Sequence, residues 1–185
     1  VAAFCHAVGM QVLLNAPPRQ QAEGGGPFVD LAEGAPYIGV NNDTLMISGI
    51  TSAMHTNRYR VVISGTCTPD ATSNDAGLTV YEKPEIITQP TDETICEDGN
   101  TSFTADAGVT TNPTYQWQVD QNTGAFVNVS GGFYSGQNSA TLNITGALSY
   151  MNGYKYRVII GGYCAPADTS AEATLTIFAT PEVTP

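Results

Sequence analysis

The chain has 185 residues and a mass of 19.4 kDa, room for one large or two small domains with a buried core. Six Lys and Arg against seventeen Asp and Glu leave a net charge of −11, which excludes the clustered cationic surface needed to hold a nucleic-acid backbone. Only 12% of residues are charged, Thr, Ser, Asn and nineteen Gly fill the deficit as in strand-and-turn proteins, and no apolar run is long enough to cross a bilayer.

In chain order, Gly9–Ala16 can serve as an early strand, and Pro17–Gly26 stands where the next strand should lie. Counting back from Phe28 as one does from Phe126 puts Arg19 in the place of Trp117. From Thr44 onward the sequence overlays itself at a shift of 97 residues. Thr44-Leu45-Met46-Ile47-Ser48-Gly49 falls on Thr141-Leu142-Asn143-Ile144-Thr145-Gly146, and Tyr59-Arg60-Val61-Val62-Ile63 on Tyr156-Arg157-Val158-Ile159-Ile160. Gly65-Thr66-Cys67-Thr68-Pro69 falls on Gly162-Tyr163-Cys164-Ala165-Pro166, and about half the positions from Thr44 to Val80 are identical. The same shift places Lys83-Pro84-Glu85-Ile86 on Thr180-Pro181-Glu182-Val183. The expected domains are therefore 1–82, a first copy without strand A and atypical over 1–27; 83–179, a complete copy; and 180–185, the opening of a third. A piece of a longer tandem array is expected. Its linker, Tyr81 to Ile86, has almost no slack, and Pro84 fixes its own φ while restricting Lys83, so adjacent copies should form a semi-rigid rod.

The complete copy alternates with period two between Gly, Asn, Asp and Pro turns. It predicts strands at Glu85–Gln89, Thr101–Ala107, Thr114–Val119, Phe126–Val129, Ala140–Thr145, Tyr154–Gly161 and Ala171–Phe178. Seven strands, each with one apolar face to cover, imply an all-β fold of two packed sheets. Tyr115-Gln116-Trp117-Gln118-Val119 points Trp117 inward, fourteen residues after an inward Phe103, and Tyr156 comes two residues before an inward Val158. Tyr59 repeats Tyr156 in the first copy. This is the immunoglobulin layout of strand B, a Trp on strand C and a corner Tyr on strand F, giving tandem immunoglobulin-like two-sheet sandwiches.

The run from Ile95-Cys96 through Tyr115-Gln116-Trp117-Gln118, Ala140-Thr141-Leu142-Asn143-Ile144, Asn152-Gly153-Tyr154-Lys155-Tyr156-Arg157-Val158 and Cys164 resembles the Ig-like repeats of giant Bacteroidetes cell-surface adhesins. Gliding-motility adhesins of the SprB type, exported by the type IX secretion system, bear such repeats. The resemblance covers copy two, and copy one from about Phe28. It implies non-enzymatic spacer or stalk repeats of a large secreted adhesin, outside the cell at its surface, supporting adhesion or gliding. The alternative is a carbohydrate- or protein-binding Ig-like module of a surface protein or of a secreted polysaccharide-degrading enzyme. The partners implied are neighbouring repeats of the same chain, and surface polysaccharide or other cell-surface proteins, with no nucleic acid and no membrane insertion.

Where an antibody domain has its core cysteines, this chain has Phe103 and Val158, and Val12 and Val61 in copy one. Cys96 precedes strand B and Cys164 follows strand F, which is read as placing both at one end of the sandwich; Cys5 and Cys67 repeat the arrangement. Bridges Cys5–Cys67 and Cys96–Cys164 are expected, against a competing reading of four buried free thiols. Each would close a loop of about 60 to 70 residues, worth about 3 to 4 kcal/mol, and would imply an oxidising, extracytoplasmic setting. Asp43-Thr44-Leu45 resembles the Asp-Thr/Ser-apolar acceptor of Bacteroidetes O-glycosylation, making Thr44 a candidate sugar site; its counterpart Ala140-Thr141-Leu142 lacks the Asp.

Chemistry is sparse. The two imidazoles, His6 and His55, fall at non-equivalent places, and no G-x-S-x-G, H-E-x-x-H or phosphate-cradling motif occurs. No catalytic residue, resident metal or cofactor is expected. Calcium between modules is the one ion weighed, with Glu93, Glu97 and Asp98 or Asp70 and Asp75 as donors, although no D-x-[DN]-x-[DN]-G loop is present. Arg60 and Arg157 recur beside the corner tyrosines, either as contacts to an anionic glycan or as stems packed over the sheet face and paired with a nearby carboxylate. Gly131-Gly132-Phe133-Tyr134-Ser135-Gly136 is the loop whose aromatics could serve a binding module.

Overall fold

The computed structural model describes residues 4–5, 19–64 and 69–179. The chain divides into two compact units, Val1–Glu82 and Lys83–Pro185. In the first, short strands follow one another as β1 (Phe4–Cys5), β2 (Arg19–Ala22), β3 (Val29–Asp30), β4 (Tyr37–Ile38), β5 (Met46–Ile47), β6 (Arg58–Ile63), β7 (Ala71–Thr72), β8 (Ala76–Gly77) and β9 (Tyr81–Glu82). Strands β3, β2, β6 and β7 form one sheet with β8 also on β6, β4 pairs β5, and β1 pairs β9. The described core of this unit gathers Val40, Leu45 and Tyr59, with Leu31, Tyr37, Ile47 and Leu78 packed against them.

The second unit contains β10 (Glu93–Cys96), β11 (Thr101–Thr104), β12 (Thr114–Asp120), β13 (Phe126–Asn128), β14 (Tyr134–Ser135), β15 (Thr141–Ile144), β16 (Lys155–Gly161), β17 (Asp168–Thr169) and β18 (Ala173–Phe178). One sheet runs β10-β18-β16-β12-β13 with β17 beside β16; the other runs β11-β15-β14. Strict alternation on β16 buries Tyr156, Val158 and Ile160 and turns Lys155, Arg157 and Ile159 outward. Across the interior, Phe103 of the smaller sheet stacks on Tyr156 with ring centroids 4.7 Å apart and meets Trp117 at 6.4 Å. Phe103 thus fills the interior position that the sequence comparison assigns to a core cysteine.

Arg19 takes the tryptophan's place in detail. It pairs with Val61 across β2 and β6 as Trp117 pairs with Val158 across β12 and β16. Trp117 Nε1 donates to the carbonyl of Ser139 at 2.9 Å, and Arg19 Nη2 donates at 2.8 Å to the carbonyl of Asn42, the residue 97 positions earlier. An arginine 3% exposed therefore performs the indole's hydrogen-bonding task in the first unit, at the cost of desolvating its charge. Burial holds the Arg19 guanidinium below its ordinary value, and Asp43 acts in the opposite direction. The carbonyl-bearing turn is itself fixed by a glycine in both units: Gly39 and Gly136 have φ of 78° and 75°, and a Cβ on either would collide with the carbonyl oxygen of Thr44 or Thr141.

Three sequence expectations change. Glu85–Gln89 is not a continuous strand: it touches the smaller sheet through one bridge, Thr88 to Asp106, and after Pro90 the chain crosses to the larger sheet as β10. Strand β14 has no counterpart among the expected strands, because two residues between Gly131, Gly132 and Gly136 leave no period to read.

The expected Cys96–Cys164 bridge is not formed. Cys96 is an exposed free thiol, whereas Cys164 is 4% exposed and disulfide-bonded. The reason is strand direction. β10 runs parallel to β18 and hence antiparallel to β16, so Cys96, beside Phe178, lies at the end where β16 begins. Cys164 follows the other end of β16, where Tyr163 N–H donates to the carbonyl of Thr111. Cys67 and the Cys5 side chain, with the bridge expected between them, lie outside the described residues, as do His6, Val12, Gly9–Ala16 and 180–185.

Two outcomes follow. Under native, non-reducing conditions iodoacetamide labels Cys96, as read by peptide mass spectrometry; a Cys96–Cys164 cross-linked peptide would contradict the topology. Phe103→Ala, which opens a cavity between the sheets, lowers the unfolding free energy of the second unit by about 3 to 5 kcal/mol in urea titrations.

Candidate functional site

One polar row crosses the outer face of the larger sheet in each unit. In the second, β12 lies between β16 and β13 so that Gln118 faces Arg157 on one side and Asn128 on the other. Arg157 Nε donates to Gln118 Oε1 at 2.9 Å, and Gln118 Nε2 donates to Asn128 Oδ1 at 2.9 Å. The guanidinium lies over the ring of Phe126, 4.0 Å from its centroid. In the first unit Gln20 faces Arg60 and Asp30, Arg60 Nε donates to Gln20 Oε1 at 2.8 Å, and Gln20 Nε2 donates to Asp30 Oδ1 at 2.7 Å. Arg60 covers Phe28 at 3.9 Å, with Arg58 behind it at 5.1 Å.

The charges around the two rows differ. Arg58 pairs with Asp75 at 2.9 Å and Lys155 with Glu172 at 2.9 Å. Glu172 also keeps the Lys155 ammonium above its ordinary value. Among the described residues neither Arg60 nor Arg157 has a carboxylate within salt-bridge distance, although the chain carries seventeen acids. These guanidiniums are held by a ring and an amide instead. The carboxylate partner of the packing alternative is thus absent among the described residues, and an aromatic ring takes its place.

Beneath the rows lies a tyrosine pair in each unit. Tyr134 and Tyr156 meet edge to face at 6.1 Å with hydroxyls 3.1 Å apart, and Tyr37 and Tyr59 meet at 6.2 Å, with the Tyr37 hydroxyl bonded to Gln21 Oε1. The Tyr156 hydroxyl thus bonds to another side chain and not to backbone, as a corner tyrosine would. Burial first, then the neighbouring hydroxyl, pushes Tyr156 well above the ordinary phenol value; burial and then Tyr59 do the same to Tyr37. Asp120 ends β12 in a turn. Burial pushes its carboxyl up, but the Thr123 N–H and hydroxyl and the Gly124 N–H all donate to it, and together they hold it below its ordinary value.

The remaining sequence candidates stand apart from the rows. His55 accepts the Val80 N–H at 3.1 Å, a structural bond at the turn before β6. Glu93 accepts the Thr101 hydroxyl, Glu97 accepts the Ser149 N–H, and Asp98 sits in a turn with φ of 62°. Among the described residues no three His, Cys, Asp or Glu side chains converge where an ion could be held. Thr44 is half-buried beside an exposed Asp43. Phe133 and Tyr134 pack against the core, so the aromatics of the 131–136 loop are not a free surface. Trp117, Phe103, Val158, Tyr156 and Tyr59 are all buried. Sequence reading singled out Arg60 and Arg157 by recurrence; Gln118, Gln20, Phe28 and Phe126 became legible as their partners only through the strand register.

No family model matches the chain, and no curated protein matches it. Solved structures do. The I-band fragment I67-I69 from titin is similar with a TM-score of 0.59 at 14% identity, over 87% of this chain and 54% of the fragment. The E-to-A variant of the same three Ig domains gives 0.58, also at 14% identity and with the same coverage. Dpr11 IG1 bound to DIP-gamma gives 0.56 at 16% identity, over 86% of this chain and 82% of that one. The chain spans about half the length of the titin fragments it matches. These likenesses establish the fold, all-β tandem immunoglobulin-like domains.

The perturbed groups set a pH window for the second unit. Tyr156 is harder to ionise folded than unfolded, so its contribution is complete below about pH 10 and is lost as pH rises beyond that. Asp120 is more acidic folded than unfolded, so its contribution is complete above about pH 4 and is lost as pH falls. Urea midpoints measured across pH should fall at both extremes, with Tyr156→Phe flattening the alkaline limb and Asp120→Asn the acid limb.

Proposed function

We propose that the chain is a load-bearing spacer: tandem Ig-like repeats in the stalk of a large secreted surface protein, of the kind found in bacterial gliding and adhesion proteins. The observation that carries this reading is how the second unit ties its first segment to its last. Ile86 N–H donates to Asp168 Oδ2, the Ala171 N–H to Gln89 Oε1 and the Thr174 N–H to Asp92 Oδ1, each across 82 residues. The parallel ladder from Glu93↔Leu175 to Cys96↔Phe178 then continues the same offset. From Ile86 to Cys96 the entering chain is thus aligned with the leaving chain. A pull through the two ends slides these segments in opposite directions along their own axes. Their bonds are loaded together in shear, whereas a hairpin pulled at its open end breaks one bond at a time. The sequence repeat supplies the second support, because a spacer gains length by addition of similar units.

The surface chemistry agrees. A net charge of −11 keeps neighbouring copies from adhering. The resemblance to Bacteroidetes repeats supports an extracellular, cell-surface site for the parent protein.

Single-molecule pulling through the termini tests the reading. The second unit should resist as one event that releases about 30 nm of chain. Ile95→Pro, which removes a ladder donor, should lower the unfolding force more than Phe103→Ala does at equal loss of equilibrium stability. Equal forces for the two variants, or extension without a resolved event, would contradict a load-bearing role.

A further inference from the structure

We infer that the Arg157–Gln118–Asn128 row of the second unit is a seat for a carboxylated sugar, and that the matching row of the first unit is closed to one by Asp30. The inference stands on the outer face of the sheet and does not depend on the load-bearing reading.

The direction of the hydrogen bonds carries it. A guanidinium nitrogen can only donate, so Arg157 Nε obliges Gln118 to present its oxygen. Gln118 must then turn its nitrogen toward Asn128, and Asn128 must answer with its oxygen. The nitrogens left over in the row are all donors: the two Nη groups of Arg157, the second N–H of Gln118 and the Nδ2 of Asn128. Among the described residues none of these donors has an acceptor. The Phe126 ring holds the guanidinium plane at 4.0 Å, so its paired Nη groups are oriented before any ligand arrives. Two parallel N–H groups at fixed spacing match a carboxylate.

The surroundings select the class of acid. The row holds one cation, and the nearby cation on β16, Lys155, is already paired with Glu172. Along β12 the outward neighbours of Gln118 are Gln116, bonded to the loop amide Asn138 at 3.2 Å, and Asp120, whose Oδ1 is taken up by the Thr123 and Gly124 N–H groups and which stands opposite Lys155. A polyanion or an acidic peptide needs several cations and meets a chain of net charge −11. A sugar carrying one carboxylate among several hydroxyls matches one guanidinium among several amides.

The first unit is the built-in control. Its Arg60, Gln20 and Phe28 repeat the arrangement, but the last member is Asp30, whose oxygen accepts from Gln20 Nε2 at 2.7 Å. The relay there ends in an anion where the second unit ends in an N–H, and that anion repels an incoming carboxylate.

NMR titration of the whole chain with glucuronate and with N-acetylneuraminate, sugars of one carboxylate each, tests this, following the side-chain Nε–Hε signals of Arg157 and Arg60. Arg157 should respond saturably to both, should not respond to cellotetraose, and should lose its response at high salt. Arg157→Gln should weaken binding by roughly tenfold or more. Asn128→Asp, which leaves Arg157 in place and copies the first unit, should have the same effect. Asp30→Asn should add a second saturable response at Arg60. Asn128→Asp keeps the test decisive if Arg157→Gln fails to fold. The inference is overturned by absence of saturation, by equal binding of cellotetraose or of an Asp-rich peptide, by unchanged affinity in Asn128→Asp, or by an Arg60 response while Asp30 is present.

Discussion

The register between the central strands of the larger sheet governs both faces of each unit. Pairing Trp117 with Val158 puts the indole in the core, and the same alignment one residue on puts Gln118 beside Arg157 outside. In the first unit Arg19 with Val61 and Gln20 with Arg60 repeat it. Because side chains alternate, a slip of one residue would expose the core residues and bury the guanidiniums, so the burial of Tyr156 and Val158 enforces the geometry of the outer row. Core and surface are not independent designs here. The stacked Phe103 and Tyr156 fix β16, and β16 carries Arg157.

The substitution of Arg19 for Trp117 shows what the fold demands of that position. It needs a long side chain that reaches the turn carbonyl 97 residues apart in the two copies, at Asn42 or Ser139, and donates one hydrogen bond. Indole provides the donor with apolar bulk. Guanidinium provides it with a charge that burial penalises. Strand order and register are kept between the two units while this side chain changes.

Much of this was readable from the chain alone because the repeat acts as an internal comparison. The shift of 97 pairs Arg60 with Arg157, and counting back from Phe28 places Arg19 at the tryptophan position. What escaped was the information that register and direction carry. Gln20 and Gln118 are ordinary polar residues until cross-strand pairing sets them beside an arginine. Glu93–Cys96 was passed over because Pro90 breaks the apolar pattern, and the change of sheet it allows has no periodic signature. The cysteine positions have the same root: Cys96 ends β10, which runs antiparallel to β16 and so brings it to where β16 begins, while Cys164 follows the far end of β16.

The most direct measurement is the set of cross-strand NOEs in the isotopically labelled chain. The account predicts close contacts linking Arg19 with Val61 and Trp117 with Val158, together with Gln20 to Arg60 and Gln118 to Arg157. Contacts displaced by one residue, joining Arg19 to Arg60 or Trp117 to Arg157 as directly opposed pairs, would contradict it and remove the common basis of the core and of the outer row.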